Sequence, residues 1–220
     1  MTPRLTSLAV LPLVCGVIAA CGGDDSNDGG AELPEGCEQV ADPEPKQVEL
    51  RKPGDLAPPP AGTVAVVETS CGSFEIELDT RSSPKTTASF ASLVDEGVYD
   101  GTVFHRIVPD FVIQGGDPRG DGTGDPGYFV DEPPPGRVAY TRGTVAMAKT
   151  EVEPPGRSGS QFFVVVAADA GLPADFALLG EVREGLDVVE RIARLGDPAS
   201  GQSGAPLAPV VIDAITLERR

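Results

Sequence analysis

The chain carries a single histidine, His105. A histidine-rich metal site is therefore impossible, and any Ser-His-Asp triad would have to use that residue. His105 stands between Phe104 and Arg106 and reads as a structural histidine rather than a catalytic base. Gly156-Arg157-Ser158-Gly159-Ser160 approaches a nucleophile elbow but lacks the closing glycine. No P-loop lysine follows Gly120-Asp121-Gly122-Thr123-Gly124, which leaves nucleotide binding without support. Asp24, Ser26, Asp28, Gly29 and Glu35 fall on calcium-loop spacing, but Pro34 interrupts them and no helices flank them. That spacing reads as chance in an acidic spacer, and neither a metal nor another cofactor is expected. What remains is a run without a nucleophile, Phe104-His105-Arg106-Ile107-Val108-Pro109-Asp110-Phe111-Val112-Ile113-Gln114-Gly115-Gly116-Asp117. Its guanidinium, always charged and with donors in a fixed fork, suits electrostatic stabilisation without bond making.

Within that run, Phe104-His105-Arg106 and Gln114-Gly115-Gly116-Asp117 closely resemble the cyclophilin signature at the family spacing. Val145-Ala146-Met147-Ala148, Ser160-Gln161-Phe162-Phe163 and Leu178-Leu179-Gly180-Glu181-Val182 resemble later family blocks in order, and the similarity spans residues 63–218. The resemblance implies a mainly β fold, a closed eight-stranded antiparallel barrel capped by two α-helices, with the active site on its outer surface. It implies a peptidyl-prolyl cis-trans isomerase (EC 5.2.1.8) acting on proline-containing polypeptides. Residue by residue, it puts Arg106 in the place of the catalytic arginine, with Phe111 and Gln114 beside it. Phe111, Val112, Phe163 and Leu172 match proline-pocket positions, while Gln114, Ala148 and Gln161 match positions that hold the substrate backbone. Phe176 stands where the family has histidine or tyrosine, and keeps the pocket wall.

The physics agrees with those roles. An X-Pro bond rotates slowly because amide resonance raises a barrier of about 18–20 kcal/mol. Rotation makes no bond, so a catalyst must prefer the twisted state. A guanidinium can stabilise the nitrogen lone pair that appears as resonance is lost, while an apolar pocket holds the ring. The sequence also departs from the family pattern. Gly171 stands where many members carry the tryptophan of the cyclosporin contact surface, which implies weak cyclosporin sensitivity. Val112 replaces a commoner methionine, and Lys149–Gly159 is longer than the simplest family form and reads as a tolerated loop, with the shaping of a substrate groove as the alternative. A binding module or holdase with little turnover and a peripheral scaffold on the cell surface are the competing readings.

These residues need elements to hold them. Thr63–Thr69 and Phe74–Leu78 read as strands joined by a turn at Ser70-Cys71-Gly72-Ser73. Ser82-Ser83-Pro84 opens a helix reaching about Glu96, with Thr86, Phe90, Leu93 and Val94 on one face and Gly97 ending it. Short strands are expected over 103–107, 111–114, 144–148, 162–166 and 177–182. A second helix is expected over 186–195 and a last strand over 210–217.

The first twenty residues form a separate segment. Arg4 and the apolar run Leu5–Ala20 read as a signal peptide (1–20), ending in Ile18-Ala19-Ala20-Cys21. That ending resembles a bacterial lipobox and implies acylation of Cys21, which would anchor an exported protein to the extracytoplasmic face of the membrane; an ordinary signal peptide is the alternative. Residues 21–60, dense in Gly, Asp and Pro, read as an extended, mobile linker, and 61–220 as the folded domain. Cys37 and Cys71 form an even pair in an exported chain and are expected to join in a disulfide, two free thiols being the alternative. The balance of 34 acidic against 17 basic residues, formally −17, repels phosphate backbones and argues against nucleic-acid binding. A closed barrel has no need of a partner, and a monomer is expected.

Overall fold

Alternation of apolar residues drives the first hairpin of the computed structural model, which describes residues 32–220. Strands β1 (Thr63–Thr69) and β2 (Gly72–Leu78) pair with Thr69 opposite Gly72, so only Ser70 and Cys71 form the loop. In β2, Phe74, Ile76 and Leu78 face the core while Glu77 meets Arg183 at the surface. Helix α1 (Pro84–Asp95) starts on Pro84, whose fixed φ suits the first turn. Ser83 makes no side-chain cap; instead Glu132 accepts from the free first-turn N–H groups of Lys85 (3.1 Å) and Thr86 (2.7 Å).

The chain continues through β3 (Thr102–Val103), β4 (Arg106–Val108), β5 (Val112–Gly115), β6 (Val130–Asp131), β7 (Thr144–Met147), β8 (Arg157–Ser158), β9 (Phe162–Val165) and β10 (Leu178–Glu184). Helix α2 (Leu186–Ala193), a 3-10 turn (Pro198–Ser203) and β11 (Val211–Arg219) complete it. The main sheet runs β3-β11-β1-β2-β10-β7-β9-β5-β4, and every pairing is antiparallel. Its two end strands are halves of one stretch, parted only by Phe104 and His105. Counting them as one gives eight strands that return on themselves, the barrel the resemblance implied. The stretch expected as one strand over 103–107 breaks because the chain changes partner there. Val103 pairs with Val211 and the Phe104 N–H bonds Val210 O, whereas Arg106 pairs with Gln114. His105 therefore lies at a corner rather than within a strand. The short β6–β8 pair, unexpected from the sequence, braces a loop outside the main sheet.

Phe90, Tyr99, Phe104 and Phe162 pack inside the barrel, with the Phe90 and Phe162 rings edge-on at 6.3 Å. A second, smaller apolar cluster lies on the outer face of β5, β7, β9 and β10, around Val112, Tyr140, Ala146, Phe163 and Val165. Strand β9 explains both clusters. All four of its residues are buried, Phe162 and Val164 in the inner cluster and Phe163 and Val165 in the outer one.

Residues 32–60 depart from a mobile linker. They have no regular strands, but they lie along the domain as a strap. The Cys37–Cys71 disulfide is formed, Glu38 N–H donates to Ser70 O (2.7 Å), and Leu33, Val48, Leu50 and Leu56 pack against the inner cluster. The leader, Cys21 and most of the calcium-like spacing lie outside the described residues.

Candidate active site

Pleating and register, taken together, build the site. Arg106 pairs with Gln114, Gln114 with Phe163, Phe163 with Ala146 and Ala146 with Leu178. These five residues form one row across five strands, all on the outer side, so neighbours are about 5 Å apart. The next row adds Val108, Val112 and Val165. The Val108–Phe111 turn, closed by Phe111 N–H to Val108 O (3.1 Å), then folds Phe111 back beside Arg106. Asp110 supplies the left-handed residue (φ 58°), which aspartate tolerates better than most. The Arg106 Cζ lies 5.7 Å from the Phe111 ring centroid.

All nine residues singled out from the sequence come together here, in two sets. Phe111, Val112, Ala148, Phe163, Leu172 and Phe176 belong to the outer apolar cluster. Phe163 and Phe176 meet edge-to-face at 5.4 Å and 89°. Arg106, Gln114 and Gln161 form a polar chain along its rim. Arg106 Nη1 donates to Gln114 Oε1 (3.4 Å), Gln114 Nε2 to Gln161 Oε1 (3.0 Å), and Gln161 Nε2 to the carbonyls of Gly122 (3.1 Å) and Gly124 (2.9 Å). Because the last two acceptors are carbonyls, they fix which way each amide points.

Arg106 is not the surface ion pair that an isolated arginine would suggest. Among the described residues it has no carboxylate partner. Its Nε donates to Gln202 O (3.1 Å), and burial lowers its pKa from the ordinary arginine value without discharging it. Gly204 permits this approach: its φ is +68°, and a Cβ there would lie 2.9 Å from Arg106 Cγ and 2.7 Å from Val108 Cγ2.

Three contributors escaped the sequence reading. Tyr140, in a loop without periodicity, donates from its hydroxyl to Phe176 O (2.6 Å) and accepts from Phe176 N–H (3.0 Å). It thereby clasps the loop that carries Phe176 and Leu172. The carbonyl of Gln202 is a main-chain group that no motif reveals. Asp117, quoted above without a role, is fully buried and accepts from the N–H groups of Arg119 (2.8 Å) and Gly122 (2.6 Å), organising the loop that holds Gln161. The stretch Lys149–Gly159 is also more than a tolerated loop. Lys149, Thr150, Glu153 and Arg157 line a groove of about 450 Å³ beside Gln114, Ala148 and Gln161. Lys149 anchors that wall through Asp175 (2.6 Å) and lies 5.4 Å from the Phe176 ring centroid.

The sequence profile of the family described as cyclophilin type peptidyl-prolyl cis-trans isomerase/CLD matches residues 64–217. The chain belongs to that family. A peptidyl-prolyl cis-trans isomerase B of Streptomyces anulatus is 38% identical over 175 residues, covering 71% of this chain and 97% of that one. A peptidyl-prolyl cis-trans isomerase-like 1 of Neurospora crassa is 42% identical over 134 residues, covering 59% of this chain and 80% of that one. Among solved structures, a cyclophilin type peptidyl-prolyl cis-trans isomerase of Cryptosporidium parvum, determined in the presence of the dipeptide Ala-Pro, superposes with a TM-score of 0.63 at 28% identity, covering 71% of this chain and 99% of that one. This cyclophilin is thus a peptidyl-prolyl cis-trans isomerase, EC 5.2.1.8. Its barrel places the row from Arg106 to Leu178 on the outside, where a polypeptide can reach it.

Proposed function

We propose that this cyclophilin accelerates rotation about X-Pro bonds in exported proteins and assists their folding outside the cytoplasm. Arg106 stabilises the twisted amide, and the outer apolar cluster holds the proline ring. The observation that carries the reading is a guanidinium with no carboxylate partner among the described residues, set at the rim of an apolar pocket and aimed by Gln114.

The proline ring packs on Phe163, Val112 and Leu172, with Phe111 and Phe176 as walls, so its apolar surface leaves water. The residue before proline is then free to swing. As the amide twists, resonance is lost and the prolyl nitrogen gains a lone pair that the planar amide lacks. A fixed cation beside that nitrogen favours the twisted state over both planar ones, which is the differential binding catalysis requires. Gln114 and Gln161 steady the guanidinium and offer amide groups to the substrate backbone. No proton, electron or group is transferred, so the mechanism asks nothing of His105.

The extracytoplasmic part of the reading rests on the leader 1–20 and the Ile18-Ala19-Ala20-Cys21 ending, with a lipid on Cys21 as the membrane anchor of a monomeric enzyme. The test has two arms. Catalysed cis/trans exchange of an Ala-Pro peptide by the full chain supports the enzymatic half, and no exchange by folded protein contradicts it. Fatty-acid labelling in cells that is lost in Cys21→Ser, together with release from the membrane fraction, supports the anchor. Equal membrane association of both forms contradicts it.

A further inference from the structure

The strap and the catalytic rim touch the same loop from opposite sides. Residues 118–126 carry glycines at 120, 122 and 124, a composition with little conformational preference of its own. Their carbonyls at Gly122 and Gly124 nevertheless have to hold still, because they orient Gln161, which orients Gln114, which meets Arg106. From inside, the Asp117 carboxylate holds the N–H groups of Arg119 and Gly122. From outside, the strap holds both ends of the loop: Lys46 N–H donates to Pro118 O (2.8 Å) and Leu50 N–H to Pro126 O (2.8 Å). The Lys46 ammonium also donates to Asp100 O.

The contact is close enough to exclude a side chain. Gly127 has φ +93°, and a Cβ on it would fall 2.7 Å from Leu50 O and 2.8 Å from Leu50 N. Strap backbone therefore lies directly on loop backbone. Upstream, the Cys37–Cys71 disulfide and the Glu38 N–H to Ser70 O bond fasten the strap to the first hairpin. Downstream, Leu56 packs on the inner cluster. A strap tied at both ends and bonded at 46 and 50 turns a glycine-rich loop into a fixed surface.

We propose that the strap segment Lys46–Leu50 is a positioning element of the active site. By bonding the 118–126 loop at both ends it sets the carbonyls of Gly122 and Gly124, and through Gln161 and Gln114 it sets the aim of Arg106. The proposal rests on the isomerase reading above, with Arg106 as the group being aimed. The strap touches no substrate. It acts through a chain of hydrogen bonds that ends on Arg106, so its loss lowers kcat more than it weakens peptide affinity, most of which resides in the apolar pocket.

The test uses the full chain with the disulfide intact. Lys46→Pro and Leu50→Pro each remove one of the two backbone donors. Each is combined with Gln161→Ala in a double-mutant cycle read by exchange of an Ala-Pro peptide. Each proline variant is expected to lower kcat about fivefold, the effect of one hydrogen bond, with KM changing less than kcat. In the Gln161→Ala background the same substitutions are expected to lower it no further. Undiminished losses in that background, or no loss at all, overturn the positioning role. If a proline variant does not fold, Gly127→Ala lifts Leu50 from the other side and serves in the same cycle, with the Gln161 side-chain amide resonances as a second readout. Those resonances shift if the strap sets the glutamine and stay in place if it does not. An inactive wild-type chain would instead remove the isomerase reading itself, an outcome distinct from active wild type with indifferent strap variants.

Discussion

Replacing Tyr140 by phenylalanine removes one oxygen and, with it, the donated bond to Phe176 O (2.6 Å) and the accepted bond from Phe176 N–H (3.0 Å). The ring stays, so its contacts with Phe176 (5.9 Å) and Phe163 (6.4 Å) survive. Each bond contributes about 1 kcal/mol net, and Phe176 is only half-buried, so water can satisfy part of what is lost. The expected destabilisation is about 1–2 kcal/mol. For a domain of this size that lowers Tm by about 2–8 °C. The same bonds hold the loop carrying Leu172 and Phe176, both in the outer cluster, so the pocket loosens as well. Thermal unfolding of the oxidised protein reads the first effect, and exchange kinetics of an Ala-Pro peptide read the second, with KM rising more than kcat falls. A Tm within about 1 °C of wild type and an unchanged KM would refute the clasp.

His105 is half-buried with its ring nitrogens enclosed; burial lowers its pKa, the Asp117 carboxylate, the Val103 backbone and the Asp121 carboxylate oppose that shift, and Arg106 adds to it. With the folded value below the unfolded one, the unfolded chain takes up the proton first as pH falls, so stability drops from about pH 6.5 downward and levels off below the folded value. Urea midpoints between about pH 5 and 8 are expected to fall more steeply in wild type than in His105→Asn, and parallel profiles would contradict this. Replacing Cys37 and Cys71 by serine opens a crosslink with a sequence separation of 34 and is expected to cost about 3–4 kcal/mol in urea unfolding; a loss below about 1 kcal/mol would mean that the strap holds without it. Cyclosporin is expected to inhibit weakly, since exposed Gly171 offers no side chain to it, and sub-micromolar inhibition of exchange would contradict that.

Much of the site was legible because its residues cluster in short blocks. Arg106 through Gln114, Ala148, and Gln161 with Phe163 each sit in a run whose order matches the family, and a two-residue period was enough to put them on one face. What the sequence hid depends on distance along the chain or on the backbone. Tyr140 acts on Phe176 and Gln202 on Arg106 with no local pattern to mark either. The break at Phe104-His105 reflects a change of partner strand rather than any breaker residue. The strap reads as linker because the stretch 21–60, taken whole, is dense in glycine, aspartate and proline. The alternation Lys46, Val48, Leu50 was nevertheless present, and those residues are half-buried while Gln47 and Glu49 are exposed. Composition averaged over forty residues outweighed five that carried the signal.

The central claim is that Arg106 stabilises the twisted amide rather than merely binding peptide. The decisive measurement sets catalysed exchange beside the dissociation constant of the same Ala-Pro peptide, both by NMR, for wild type and Arg106→Ala. Arg106→Ala is expected to lose exchange at least about tenfold with affinity nearly unchanged. Equal losses in exchange and affinity, or full activity without the guanidinium, would contradict it.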